Sequence, residues 1–164
     1  MALSRQSAAL LLAVLAAAAA PPASADAPCG RKILVQNLCD HDITLTLRPR
    51  GNPGPLFPGG AHEHTVARRT HAEFPVCTYS GELAVAGAPP AEFHFGGDGA
   101  WFRAPNNPDA GNLPVSITPH TAHGGLAGGC PAVGCRRERR CFDHAEPGHN
   151  CANVDEIKII YCQP

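Results

Sequence analysis

The sequence predicts an all-β fold, a sandwich of short antiparallel strands with a small disulfide-rich loop subdomain. Three observations lead there. The chain of 164 residues holds eight cysteines, with Cys130, Cys135, Cys141, Cys151 and Cys162 crowded near its C-terminus; behind a secretory leader, that density reads as a disulfide framework. Short β-prone runs recur along the chain, with Gly, Pro, Asn or Asp in nearly every gap between them, as a sandwich requires. After the leader, no segment sustains the 3.6-residue apolar period of a helix.

The leader is Met1 to Ala25. One positive charge, Arg5, precedes an apolar run from Ala8 into an alanine tract, Pro21 and Pro22 break it, and Ala23-Ser24-Ala25 offers small residues for cleavage. These are the parts of a signal peptide. A transmembrane anchor is the alternative, but the apolar stretch is short and no second one follows. Removing 25 residues from 164 leaves 139, enough for one domain with a modest core. Arg5 is the leader's one charge, so 13 basic residues become 12 against 14 acidic ones, a net charge near −2. That balance excludes a nucleic-acid partner, which needs a basic face. Without a lipidation or retention signal, the expectation is a soluble, extracellular monomer with no membrane anchor. Zinc is disfavoured because no CxxC pair exists and Cys130-x4-Cys135 is wide for a finger. No metal or other cofactor is expected.

The strands follow in order. Lys32–Asn37 is a short apolar run, and Ile43–Arg48 alternates with period two, placing Ile43, Leu45 and Leu47 on one face. Asn37 to Asp42 supplies turn chemistry between them, so the pair reads as a hairpin. Pro49 to Gly60 is a Gly/Pro loop. Further β-like runs lie at Glu63–Ala67, Glu73–Tyr79, Glu82–Ala86, Ala91–Phe95, Ala100–Arg103, Leu113–Thr118 and Ile157–Cys162. His120 to Asn150 is Gly-, Arg- and His-rich without an apolar pattern, and reads as the disulfide-held loop subdomain.

Several islands match one family. Ala91-Glu92-Phe93 followed by Asp109-Ala110-Gly111-Asn112-Leu113-Pro114-Val115 is similar to the "AEF … DGFN-[LV]-P-[MV]" core of thaumatin-like proteins, the pathogenesis-related family 5 of plants. Ile33-Leu34-Val35-Gln36-Asn37-Leu38-Cys39 resembles that family's "F-x-I-x-N-x-C". Gly-Cys130-x4-Cys135, Arg140-Cys141 with Asp143, the Cys151-to-Cys162 distance and the ending Tyr161-Cys162-Gln163-Pro164 follow in the family's order. The resemblance implies a small, truncated member, with domain 26–164 and a reduced second domain within about 120–150. It also implies bridges Cys39–Cys162, Cys130–Cys151 and Cys135–Cys141, leaving Cys29 and Cys77 to pair by exclusion.

The family's cleft lies between the sandwich and a second domain and is lined by an arginine, a glutamate and aspartates. Glu92 and Asp109 match two of these, and Asp143 is the candidate for a late acid. The family's "YDIS" aspartate falls near Ala104, and its arginine near Pro75-Val76-Cys77; both are missing here. Two carboxylates across a groove are the equipment of a glycosidase, but Asp109 also lies in a natural Asn-Pro-Asp-Ala-Gly turn. Binding without turnover is the preferred reading. Trp101, Phe102 and Tyr79 are candidates to stack on sugar; Phe93 and Phe95 are assigned to the core, and Trp101 is left open. Of the nine histidines, His62-x-His64 would share a strand face, and His120-x-x-His123 lies in a loop; exposed histidines are preferred to a metal site. Arg136 to Arg140 forms a basic knob, read as solvated.

The resemblance therefore implies a secreted defence protein, apoplastic if the source is a plant. It would act on fungi by binding cell-wall β-glucan or perturbing hyphal membranes, with Glu92, Asp109, Asp143 and Trp101 as its ligand-binding residues. Two alternatives are kept: a protein inhibitor of a microbial glycosidase (a xylanase or α-amylase), and a weak endo-β-1,3-glucanase.

Overall fold

The computed structural model describes residues 30–51, 53–97, 99–105, 111–127, 130–136 and 151–163, and the backbone of 141–142. The proposed leader and most of 137–150 lie outside that set. Eleven strands are described: β1 (Lys32–Asn37), β2 (Ile43–Pro49), β3 (Glu63–Val66), β4 (His71–Pro75), β5 (Tyr79–Ala84), β6 (Ala91–Gly96), β7 (Gly99–Arg103), β8 (Val115–His120), β9 (Val133–Cys135), β10 (Cys141–Phe142) and β11 (Glu156–Tyr161). They form a six-stranded sheet, β10-β9-β8-β11-β1-β4, and a five-stranded sheet, β3-β2-β5-β6-β7. The fold is all-β, and the two sheets share one core.

Period-two alternation builds that core. Ile33 and Val35 of β1, Ile157, Ile159 and Tyr161 of β11, and Ile117 of β8 turn inward from the first sheet; Leu45 and Leu47 of β2, Leu83 of β5, Phe93 and Phe95 of β6, and Phe102 of β7 do so from the second. Gly81 of β5 makes room for aromatics. A Cβ there would sit 2.9 Å from Cε1 of Tyr79, whose ring stacks on Phe93 with centroids 5.9 Å apart.

Three expectations are corrected. β1 and β2 do not form a hairpin: β1 lies between β11, its parallel neighbour, and β4, whereas β2 pairs with β3 and β5 in the other sheet. The connection carries the chain between layers, and the side chain of Asn37 shapes it. Buried at 0 % exposure, Asn37 donates through Nδ2 to the carbonyls of His41 (2.9 Å), Val66 (3.0 Å) and Ala67 (3.2 Å), while its Oδ1 accepts the Cys39 N–H at 2.9 Å. Glu73–Tyr79 is not one strand. Pro75 ends β4 on the edge of the six-stranded sheet, where a missing N–H is tolerated; the chain then crosses, and Tyr79 begins β5 in the other sheet, ahead of the expected Glu82 start. The segment after His120 is more than loop, since β9 and β10 add two short strands to the β8 edge.

Disulfide Cys39–Cys162 joins the ends of the parallel neighbours β1 and β11 across 123 residues of sequence, and Cys130–Cys151 spans 21. Cys77 and Cys135 are also disulfide-bonded. Cys135 stands in backbone register with Cys141, whose side chain lies outside the described residues, as does the whole of Cys29. Among the described residues, no helix is long and apolar enough to cross a membrane.

One core group lacks a partner. The hydroxyl of Tyr161 is buried and accepts or donates no hydrogen bond among the described residues; burial, with a smaller contribution from the Glu82 charge, pushes its phenol far above the ordinary range. A buried orphan hydroxyl costs stability, and an apolar group of the same shape does not. Tyr161→Phe is therefore expected to raise the unfolding free energy by about 1 kcal/mol, read as an increased urea midpoint at unchanged slope. A lowered midpoint would show that the hydroxyl is bonded in solution.

Candidate functional site

The residues that alternate with the core form the outer face of the five-stranded sheet. Two rows run across it. In the first, Arg48 of β2, Glu82 of β5, Glu92 of β6 and Arg103 of β7 stand in consecutive cross-strand register. Glu82 and Glu92 are direct neighbours, and like charges so placed repel. The arginines bracket them. Arg48 Nη1 lies 2.9 Å from Glu82 Oε1, and Arg103 Nε donates to Glu92 Oε2 at 2.6 Å. Arg50, just past the end of β2, adds a second guanidinium to the same oxygen, with Nη2 at 2.9 Å. Its own backbone is anchored, the N–H donating to the Ser80 carbonyl at 2.8 Å.

The second row is Ser80, His94 and Trp101 of β5, β6 and β7. Ser80 Oγ and His94 Nδ1 are 2.5 Å apart, and the His94 ring stacks on the indole of Trp101 with centroids 5.7 Å apart and planes 14° from parallel. All three are half-buried. Among the described residues β7 is the edge strand of its sheet, and next to Trp101 the Ala100 N–H donates to the Cys151 carbonyl at 3.3 Å. The serine–imidazole contact holds the ring that in turn supports the indole. An apolar ring surface set beside hydroxyl, imidazole, guanidinium and carboxylate groups suits a ligand with one apolar face and a polar rim.

Glu92 and Trp101, both expected at the ligand site, are thus on one face, but in different settings. Glu92 is 5 % exposed and held by two guanidiniums. Trp101 is in the half-buried Ser80–His94–Trp101 row. Asp109 and Asp143 lie outside the described residues. Gly111 and Leu113 pack closely on the turn at Gly87. A Cβ on Gly111 would come within 2.6 Å of the Gly87 carbonyl oxygen, and the Leu113 N–H donates to that oxygen at 2.7 Å. Tyr79 and Phe102, considered for sugar stacking, are corrected to the core; they turn inward at 5 % and 0 % exposure, as do Phe93 and Phe95. Parity within each strand decides this, because the small Gly81, Ala100 and Ala104 share the inner face with them.

The histidines divide between packing and surface. His64 sits against Phe57 and Phe74, with ring centroids 5.5 and 5.1 Å away, while His62 precedes β3 and is exposed. His120 lies 3.0 Å from the Gly124 carbonyl through Nδ1 and 3.0 Å from Thr118 Oγ1 through Nε2, closing a loop. Among the described residues, no three His, Cys, Asp or Glu side chains gather to hold a metal.

No protein-family model matches the chain, and no curated protein matches it. Among solved structures it is similar to the protein elicitor MoHrip2 from Magnaporthe oryzae, with a TM-score of 0.49 and 14 % identity over 81 % of this chain and 99 % of that one.

Proposed function

We propose that this is a secreted defence protein of thaumatin-like type that binds fungal wall polysaccharide, with β-1,3-glucan as the lead ligand, and does not cleave it. One observation carries the binding reading: the Ser80–His94–Trp101 row sets a supported aromatic surface on an outer sheet face. Pyranose rings have an apolar face that stacks on such a surface and hydroxyls that meet the polar groups around it. Secretion is supported by the oxidised cysteines, which persist in oxidising compartments. The family assignment is supported by the Cys39–Cys162 closure of first strand to last, which the motif islands imply.

The setting of Glu92 favours binding over hydrolysis. A glycosidase needs two carboxyl groups open to the sugar at a defined separation, one of them able to give up a proton. Glu92 instead occupies the middle of an ion-pair row, covered and held by Arg103 and Arg50.

Retention on insoluble β-1,3-glucan tests the reading. The protein is expected in the pellet, and Trp101→Ala is expected to weaken retention by about tenfold, the scale of one lost aromatic stack, at an unchanged melting temperature. Absence of wild-type retention beside tight inhibition of a xylanase would overturn the proposal in favour of a glycosidase inhibitor.

A further inference from the structure

The charged row next to Trp101 bears on which glycan the face accepts. We infer that the site takes an acidic polysaccharide, one bearing uronate carboxylates, more tightly than a neutral glucan; this rests on the glycan-binding reading of Trp101 and makes β-1,3-glucan the weaker of two ligands of that face. Among the described residues, the charged row with Arg50 beside it holds three guanidiniums, Arg48, Arg50 and Arg103, against two carboxylates, Glu82 and Glu92; a third carboxylate on the same sheet face, Glu63 of β3, stands opposite Thr46, outside the row. Arg48 pairs with Glu82. Arg50 and Arg103 both reach a single oxygen, Glu92 Oε2, so Arg50 shares its carboxylate with a second cation.

Arg50 is the group placed to meet a second anion. Its side chain is 45 % exposed, and its ion pair to Glu92 engages Nη2. A guanidinium has five donors in a planar fork, matched to the two oxygens of a carboxylate. The buried Glu92 and the backbone bond to Ser80 hold Arg50 in place before any ligand arrives, which lowers the ordering cost of binding. Glu92 is two residues from His94 along β6, about 7 Å at the rise of a strand. A polymer laid across both rows would stack one sugar on Trp101 and present a neighbouring sugar to the guanidinium.

The test compares two soluble polymers, polygalacturonate and the neutral β-1,3-glucan laminarin, by titration at low and high salt. Polygalacturonate is expected to bind about tenfold more tightly at low ionic strength, an advantage that shrinks as salt screens the exposed charge. Arg50→Gln is expected to bring the two affinities together, and Arg50→Lys to keep part of the difference. An unchanged melting temperature for both variants ties the effect to the charge. Laminarin binding with no preference for the uronate polymer, or a preference that survives in Arg50→Gln, overturns this inference and leaves the glycan reading standing. Failure of both polymers to bind overturns the two together.

Discussion

Replacing Cys39 and Cys162 together by alanine is expected to lower the unfolding free energy by about 4–5 kcal/mol. The size follows from topology. The bridge spans 123 residues, and cross-linking a loop of that length removes much of the closure entropy of the unfolded chain. It also joins β1 and β11, which pair in parallel with their six-residue registers fully matched and with most of the chain between them. Parallel neighbours so distant in sequence meet late and at high entropic cost, and the bridge shortens that search. Cys130–Cys151, spanning 21 residues, should matter less, about 3 kcal/mol on the same reasoning. Denaturant unfolding of the two double variants checks both the size and the order. A loss below about 1 kcal/mol for the long bridge would mean that the unfolded chain is already compact without it.

Asn37→Asp is expected to destabilise by about 3 kcal/mol, and Asn37→Ala by about 2 kcal/mol. The amide nitrogen of Asn37 faces three carbonyl oxygens that fix the β1–β2 crossing and the β3–β4 connection, and its oxygen holds the N–H of Cys39 at the mouth of the long bridge. Alanine leaves those buried groups unpaired. Aspartate does worse, setting an acceptor-only carboxylate against the same three carbonyls. Thermal melting of both variants should rank wild type above alanine above aspartate. Equal stability of the two variants would show that water replaces the amide in solution.

Strand content and facing are legible in the sequence where alternation is clean. Ile43, Leu45 and Leu47 turn inward as period two requires, and the all-β class follows from many such runs. Pairing is not legible, because it depends on partners far apart. The turn residues between Asn37 and Asp42 are the same whether a chain reverses within one sheet or crosses to the other; what separates the two outcomes is the long-range bond set of Asn37. The run Glu73–Tyr79 reads as one strand because Pro75 is tolerated at an edge, and edge position is a property of the sheet. The charged row is hidden for a related reason. Arg48 and Glu82 are 34 residues apart, and Glu92 and Arg103 are 11 apart. Glu92 stands out through its motif, but neither Glu82 nor the arginines that close around it carry any local signal. Trp101 stands out as an aromatic whose side the sequence does not settle; the inward parity of Ala100 and Phe102 places it on the outer face.

Binding of a glycan on the outer face of the five-stranded sheet, against Trp101, has a direct optical readout. Trp101 is the chain's single tryptophan, so its fluorescence reports that face alone. Titration with soluble laminarin is expected to shift the emission to shorter wavelength, saturating at the concentration where retention saturates, as the half-buried indole loses water to the sugar. Retention on glucan with no change in tryptophan emission would place the ligand elsewhere on the molecule and contradict the proposal.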